Sequence, residues 1–192
     1  KYAMEIMRFI KEKDPENINF HFEITAHLID DEFLDFLRDV KKGLFQFEIG
    51  VQSTNNETIS AIGRTTDFSQ LSKVVKTIKL YKNIHQHLDL IAGLPYENYE
   101  SFKDSFNDVY SLKPEKLQLG FLKLLKGSGL RLSKEMYGYK YIDEPPYEVL
   151  ESKYINYEEL IKLKEIEDLV EKYFNEGYFE FTLDYLILKH YT

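Results

Sequence analysis

The chain has 192 residues, the length of one ordinary domain, and its 43% hydrophobic and 15% aromatic content is typical of a folded globular protein. The formal net charge of −8 disfavours nucleic-acid binding over the whole surface, because such binding depends on Lys and Arg neutralising phosphates. Cys is absent, which excludes disulfides, thiolate nucleophiles and Cys-ligated zinc or iron–sulfur centres within these residues.

The sequence carries no segment typical of a membrane span or a signal peptide. Its apolar runs stay below the roughly 20 residues that a membrane helix needs, and its start is mixed and charged. We therefore expect a cytoplasmic protein. Both ends look cut, because Lys1 falls inside a helical pattern and Thr192 directly follows an apolar stretch. We expect a piece of a larger protein.

Strand and helix patterns alternate along the first two-thirds of the chain. Period-two alternation of apolar and polar residues predicts four strands, at residues 19–25, 44–52, 85–92 and 116–122. Helical periods precede and link them, at residues 1–13, after Asp30, from Asp67 to Tyr81 and from Phe102 to Tyr110. In the last third, a stretch rich in turns and aromatic residues leads to a long helix at 157–175, capped by Gly177.

This alternation predicts an α/β fold in which parallel strands are joined by right-handed βαβ crossovers. Four strands with three linking helices, entered through a helix whose own strand is missing, indicate a partial barrel or a curved open sheet. We assign residues 1–125 to this unit and residues 126–192 to a mainly helical C-terminal extension.

Each predicted strand has an apolar face and a polar face, although parallel strands are usually apolar on both. The polar faces carry His21, Glu23, Thr25, Gln46, Glu48, Gly50, Gln52, His85, His87, Asp89, Gln118 and Gly120. We expect them to line a concave interior, with a ligand at the carboxyl ends of the strands. Glu23, Gln52 and Asp89 lie at those ends, with Ile91 and Leu122 as apolar walls. The alternative is a polar network that only holds the sheet together.

A second interpretation of the third strand concerns metal binding. His85, His87 and Asp89 share one strand face, and imidazole and carboxylate groups ligate divalent metals. This pattern is compatible with a metal-dependent hydrolase. However, both His residues lie at the entry end of the strand, away from the expected site. The simpler interpretation is that they are two His side chains near an exposed strand start, without a metal.

Two stretches of the sequence resemble a known family. The first combines FEIGVQS at residues 47–53, IGR at 62–64 and LDLIAGLP at 88–95. Over roughly residues 18–125 this succession resembles the central and later strands of radical S-adenosylmethionine (SAM) enzymes. The closest likeness is to the oxygen-independent coproporphyrinogen oxidases, the methylthiotransferases and the cobalamin-domain radical SAM proteins.

The second stretch lies in the C-terminal extension. GSGL at residues 127–130, PPYEVL at 145–150 and NEGYF at 175–179 resemble the tail of cobalamin-domain radical SAM proteins. Some of those proteins are labelled Mg-protoporphyrin IX monomethyl ester oxidative cyclases, and the resemblance implies that narrower activity.

The resemblance implies a partial (βα) barrel of the radical SAM type, with SAM across the carboxyl ends of its strands. In that family SAM chelates one iron of a [4Fe–4S] cluster, and one electron cleaves it to methionine and a 5′-deoxyadenosyl radical. Gly93 would let the backbone approach the nucleoside. The resemblance implies that Glu23 and Gln52 make polar contacts to SAM and that Arg64 contacts its methionyl carboxylate. It also implies that Asp89 contacts the ribose diol and that Ile91 and Leu122 contact adenine.

The sequence departs from the family in one respect. The Cys-x-x-x-Cys-x-x-Cys loop that ligates the cluster, and the Gly-Gly-Glu-like segment that holds the SAM amino group, would both lie upstream of Lys1. We therefore expect the full-length protein to be a radical SAM oxidoreductase, and this Cys-free chain alone to be inactive.

The expected cofactors are SAM, a [4Fe–4S] cluster and cobalamin in a separate upstream domain. The expected partners are a small-molecule substrate and an electron donor such as flavodoxin or ferredoxin, without nucleic acid. The rival class is a non-catalytic α/β module that binds a different small ligand on the same polar face.

Overall fold

The computed structural model describes residues 2–190, without the side chain of His190. Its central sheet contains the strands β1 (Phe20–Ile24), β2 (Phe45–Gln52), β3 (His85–Ala92) and β4 (Lys116–Phe121). All neighbouring strands are parallel and their spatial order is β1-β2-β3-β4. The predicted α/β fold with four parallel strands is therefore confirmed, and the strand limits differ from the prediction by one residue at most.

The helices before and between the strands are α1 (Tyr2–Lys13), α2 (Asp31–Arg38), α3 (Asn56–Ala61), α4 (Phe68–Tyr81) and α5 (Tyr99–Ser111). Side chains at their starts explain where they begin: Asp30, Asn55, Asp67 and Asn98 each accept a backbone N–H of the first turn. The sequence analysis did not predict α3, because a helix of six residues shows almost no hydrophobic period.

One face of the sheet is covered by helices and forms the core. Phe47, Leu88 and Leu117 on this face are fully buried, as are Val74 and Ile78 of α4. Within residues 2–190, Gln86 is the one polar strand residue on this face. Its buried side chain donates a hydrogen bond to the Val75 carbonyl of α4, which lowers the cost of burying it. The apolar period of the strands therefore decides which sheet face meets the helices.

The C-terminal extension consists of short elements and two longer helices. They are α6 (Gly129–Leu132), α7 (Lys134–Tyr137), β5 (Lys140–Tyr141), β6 (Val149–Glu151), α8 (Tyr157–Val170), a π-helical turn (Glu171–Asn175) and α9 (Glu180–His190). The long predicted helix at 157–175 is present, with the π-helical turn at its end. The antiparallel pair β5–β6 and the helix α9 were not predicted.

Backbone hydrogen bonds connect the extension to the sheet. The Val149 N–H donates to the Leu122 carbonyl and the Leu124 N–H to the Tyr147 carbonyl, both at 2.9 Å. These bonds join residues on both sides of the predicted boundary at 125/126, and the division into two units stays a prediction.

A side chain covers part of the outer edge of β4. The Asn175 side chain accepts the Leu117 N–H and donates to the Leu117 carbonyl, both at 2.9 Å. A carboxamide has the donor and acceptor that a neighbouring strand would offer, so Asn175 satisfies backbone groups that an edge strand otherwise leaves free.

Among the helices of residues 2–190, none combines the length and the apolar character that crossing a membrane requires.

Candidate functional site

The strand register confirms the predicted polar face. Glu48 lies opposite His87, and Asp89 lies between Gly50 on β2 and Gln118 on β4. Side chains that are opposite in a sheet point to the same side, so these residues share the face opposite the buried core face. Glu48, His87, Asp89 and Gln118 are therefore on one side of the sheet, whereas a register shift after Gly50 places Gln52 opposite Leu90.

Gln52 and Asp89 form the centre of the candidate site. The Gln52 side-chain N–H donates to Asp89 Oδ2 at 2.6 Å. Gln52 ends β2 in a left-handed backbone conformation, with φ of 68°, which few residues other than Gly adopt. Within residues 2–190, Asp89 Oδ1 is buried and has no hydrogen-bond partner. A buried acceptor without a donor is costly, so this oxygen marks a place where a ligand hydroxyl would be stabilised.

The surroundings of Asp89 also favour its protonated form. Burial is the main reason that the pKa of Asp89 is raised to about 6. The charge of Glu48 acts in the same direction, and the hydrogen bond from Gln52 and the charge of Arg64 oppose it. A carboxyl group titrating near neutrality inside a cavity is a common property of binding and catalytic sites.

Arg64 reaches the same place from the segment after α3. Its guanidinium donates to the Gly50 carbonyl at 3.2 Å. A Cβ atom at Gly50 would lie 2.8 Å from the Gln52 side-chain nitrogen and 3.2 Å from Arg64 Nη1. A Cβ atom would therefore displace the ends of both side chains from this position. The structure brings Gln52, Arg64 and Asp89 together around Gly50.

Glu23 occupies a different position. It is exposed on β1, opposite Glu48 in the register. It borders a groove of about 690 Å³ between α1 and β1, together with Met4 and Arg8. The described structure thus brings Glu23 to the polar face but not into contact with Gln52 or Asp89, and its role as a SAM contact stays a prediction.

A cavity of about 790 Å³ adjoins Asp89. Asp89, Ile91 and Leu122 line it from the sheet, as predicted for a pocket with apolar walls. Its opposite wall is α8, through Ile161, Lys164, Glu165 and Asp168. The sequence analysis missed this wall, although the spacing of these four residues places them on one helix face.

The Gly93 region contacts the C-terminal extension. Gly93 has φ of 93°, and a Cβ atom there would lie 3.5 Å from Leu122 and 3.8 Å from Val149. The Tyr139 hydroxyl donates to the Gly93 carbonyl at 3.0 Å. The backbone conformation therefore favours Gly at this position, because the neighbouring atoms lie at ordinary contact distances. Its predicted approach to a nucleoside stays untested.

The histidines on the polar face form a separate cluster nearer the amino ends of the strands. His21 Nε2 lies 3.0 Å from Glu48 Oε2, and the rings of His85 and His87 meet edge to face at 5.0 Å. Burial and the nearby His85 and Lys116 lower the pKa of His87. Within residues 2–190, no three His, Asp or Glu side chains are placed to hold a metal ion. The geometry therefore gives no support to a metal site at His85, His87 and Asp89.

Comparison with protein families gives two matches. The first is the family described as "Radical SAM superfamily", which matches residues 1–109. The chain belongs to the radical SAM superfamily. Residues 135–192 match a second family, described as "Protein of unknown function (DUF4080)". The C-terminal extension, including α8, thus has a sequence pattern of its own.

Curated relatives of the chain are mostly coproporphyrinogen oxidases. It is 29% identical over 104 residues to "Coproporphyrinogen III oxidase, anaerobic 1" of Cereibacter sphaeroides, which covers 54% of this chain and 23% of the relative. It is 33% identical over 103 residues to the oxidase-like protein HemZ of Bacillus subtilis, covering 50% of this chain and 19% of HemZ. The chain therefore spans about a quarter or less of the length of these relatives.

Solved structures agree on the fold. Coproporphyrinogen III oxidase HemN from Escherichia coli, a radical SAM enzyme, superposes with a TM-score of 0.61 at 20% identity, covering 88% of this chain and 37% of HemN. The radical SAM methyltransferase TsrM from Kitasatospora setae, solved with cobalamin and a [4Fe–4S] cluster, has a TM-score of 0.58 at 17% identity, covering 76% of this chain and 31% of TsrM. The four-stranded sheet is thus part of a radical SAM barrel.

The superfamily implies SAM and a [4Fe–4S] cluster, and the residues present fit the two groups differently. The buried acceptor at Asp89 and the nearby Arg64 guanidinium, which donates to the Gly50 carbonyl, suit a nucleoside with an anionic tail. The cluster does not fit this chain, because the sequence offers no Cys to ligate iron.

Proposed function

We propose that the whole protein containing this chain is a radical SAM enzyme, and that this chain supplies most of its nucleoside site. When bound, SAM and a [4Fe–4S] cluster supply one-electron radical chemistry to such an enzyme. The cluster ligands come from outside these 192 residues, which contain no Cys.

The observation that carries the proposal is Asp89 Oδ1, a buried acceptor without a partner within residues 2–190. A ribose diol offers the donors it lacks, and Gln52 fixes the carboxylate through the other oxygen. Arg64, already turned toward Gly50, would bind the methionyl carboxylate by a charge-assisted hydrogen bond. Ile91 and Leu122 would contact adenine from the cavity wall.

Glu23 completes the proposed set of polar contacts. It is exposed on β1 and borders the groove beside α1, from which it would make a polar contact to SAM.

The narrower activity is part of the proposal and rests on the sequence resemblance. It is oxidative cyclisation of a Mg-protoporphyrin IX monomethyl ester type of substrate, with cobalamin in a separate upstream domain and flavodoxin or ferredoxin as electron donor. The cytoplasm is the proposed location.

The test of the narrower activity is anaerobic incubation of the complete protein with Mg-protoporphyrin IX monomethyl ester, SAM and a reductant. Consumption of this ester without a cyclised product, or no consumption at all, would contradict the oxidative cyclase activity. The broader proposal of a radical SAM enzyme would remain.

The decisive experiment uses the full-length protein, reconstituted with iron and sulfide without oxygen. Formation of 5′-deoxyadenosine from SAM and dithionite supports the proposal, and its absence in a cluster-loaded protein contradicts it. SAM binding should weaken about tenfold or more in Asp89→Ala and in Arg64→Ala, because each loses a hydrogen bond to a buried or charged partner. The matched control is Arg38→Ala, since Arg38 is exposed on α2 and pairs with Asp35.

The same reconstitution distinguishes the rival class, a non-catalytic α/β module. The 192-residue chain alone should take up no cluster and form no 5′-deoxyadenosine. The full-length protein should take up the cluster and form 5′-deoxyadenosine. A full-length protein without a three-Cys loop and without cluster absorption would favour the module.

A further inference from the structure

Glu97 lies on the segment between β3 and α5, and its side chain is almost completely inaccessible, with 1% of the residue exposed. Its Oε1 accepts hydrogen bonds from the hydroxyl groups of Ser53 at 2.5 Å and Ser105 at 2.9 Å. Ser53 follows β2 and Ser105 lies in α5, so this carboxyl joins three parts of the chain.

The two serines in turn hold the backbone after β2. The Asn55 N–H donates to Ser53 Oγ at 3.0 Å, and the Thr54 N–H donates to Ser105 Oγ at 3.1 Å. A further bond runs from the Asn55 side chain to the Tyr96 carbonyl at 3.0 Å. Residues 53–55 are therefore attached to the segment around Glu97 at several points.

Gln52 is the residue that this attachment affects most directly. It precedes Ser53 and holds a left-handed conformation, which persists in residues other than Gly only where the surroundings enforce it. From that conformation its side chain reaches Asp89 at 2.6 Å. If Ser53 were released, the backbone at Gln52 could relax to a common conformation and move the carboxamide away from Asp89.

The chemistry at this position is also unusual for a core. A buried carboxyl group is costly even with two hydroxyl donors, and within residues 2–190 the Oε2 atom of Glu97 is buried without a hydrogen-bond partner. The position thus holds a residue that stability alone does not favour.

We infer that Glu97 is a positioning residue for the nucleoside site: through Ser53 it holds Gln52 in the conformation that orients Asp89. The inference rests on the proposed function, because the site it serves is the proposed SAM site. Glu97 itself touches neither Gln52 nor Asp89.

The test compares SAM binding by the reconstituted full-length protein and its variants, measured by calorimetry. Glu97→Met, of similar size but without an acceptor, should weaken binding about tenfold, since it releases the two hydroxyl groups. Glu97→Gln keeps the acceptor and should stay within about threefold of the wild type. Asn83→Ala is the control for a general loss of stability, because Asn83 is a buried side chain that bonds the Leu37 and Val40 carbonyls near the amino end of β3.

A double-mutant cycle separates positioning from general destabilisation. In a Gln52→Ala background, Glu97→Met should change SAM binding by less than about twofold, because the side chain that Glu97 positions is already gone. An unchanged tenfold effect in that background would overturn the inference. So would a Glu97→Met protein that binds SAM like the wild type.

Two further measurements cover the remaining outcomes. If Glu97→Met does not fold, Ser53→Ala removes the same connection with little change in volume and should give the same coupling to Gln52. If the wild type does not bind SAM, the proposed function fails, and hydrogen exchange still tests the geometry. The peptide covering residues 50–58 should exchange faster in Glu97→Met than in Asn83→Ala, and equal rates would overturn the inference.

Discussion

Gly50 occupies the point where the side chains of Gln52 and Arg64 converge. Replacing it with Ala would place a Cβ 2.8 Å from one and 3.2 Å from the other, on the sheet face turned away from the core. We expect Gly50→Ala to weaken SAM binding by the full-length protein about tenfold, with little change in the free energy of unfolding. Calorimetry and urea denaturation measure the two quantities.

Gly129→Ala is the matched control for this substitution, since an added Cβ there would meet nothing within 4 Å and the backbone has no unusual φ. If Gly50→Ala bound SAM as tightly as the control, the convergence of Gln52 and Arg64 would not matter for binding.

Part of the candidate site could be predicted at the level of single residues. Period-two alternation predicts that Asp89 and Gln52 share a face. In the structure a register shift after Gly50 places Gln52 opposite Leu90, and Gln52 meets Asp89 through its side chain. The pattern does not contain the left-handed backbone at Gln52 or the approach of Arg64, because both depend on the segment 53–64, which has no strong period. Glu23 lies away from this pair because β2 separates β1 from β3 in the sheet.

At the scale of secondary-structure elements, the π-helical turn at Glu171–Asn175 has a measurable effect on β4. Asn175 makes both side-chain hydrogen bonds to Leu117. Asn175→Ala would leave a partly buried N–H and carbonyl without these partners, so we expect a loss of about 1–3 kcal/mol in the free energy of unfolding. Urea denaturation gives this quantity, and exchange of the Leu117 amide hydrogen should accelerate.

Asn107→Ala serves as the comparison, because Asn107 is exposed on α5. A loss in Asn175→Ala no larger than in Asn107→Ala would show that water replaces the Asn175 side chain at the strand edge without cost.

Elements with a strong period were predicted well, and those without one were not. The four strands and the helix α4 bury one face each, so their sequences repeat at two residues or at three to four. The pair β5–β6 is held mainly by backbone hydrogen bonds to neighbouring segments, such as that of Val149 to Leu122, and these leave no mark on the side-chain pattern. Helix α9 mixes apolar and polar residues without separating them into two faces, so its sequence shows no clear helical period either.

At the scale of the whole molecule, two buried carboxyl groups should make stability depend on pH. Burial raises the pKa of Glu97 to about 7, against the lowering by Ser53 and Ser105, and that of Asp89 to about 6. Both values lie above those of an unfolded chain, so the folded protein binds these protons more tightly. Their stabilising contribution is greatest at low pH and is lost as the pH rises through 6 to 7.

For Glu97 this loss should amount to roughly 2–3 kcal/mol between about pH 5 and pH 8. It is best measured as the difference between wild type and Glu97→Gln in urea denaturation across this range, because Gln does not titrate and other carboxyl groups contribute equally to both proteins. A difference that does not change with pH would mean that Glu97 is ionised throughout.

The contact between Tyr139 and the Gly93 carbonyl has a thermodynamic consequence. Gly93 follows Ile91 by two residues, and Tyr139 belongs to the same C-terminal extension as α8, the far wall of the cavity. A compound that shifts α8 when it enters the cavity would therefore disturb the strand end carrying Asp89. A second ligand bound to the extension outside the cavity would then be coupled to binding at Asp89, and linkage requires each ligand to alter the affinity of the other by the same factor.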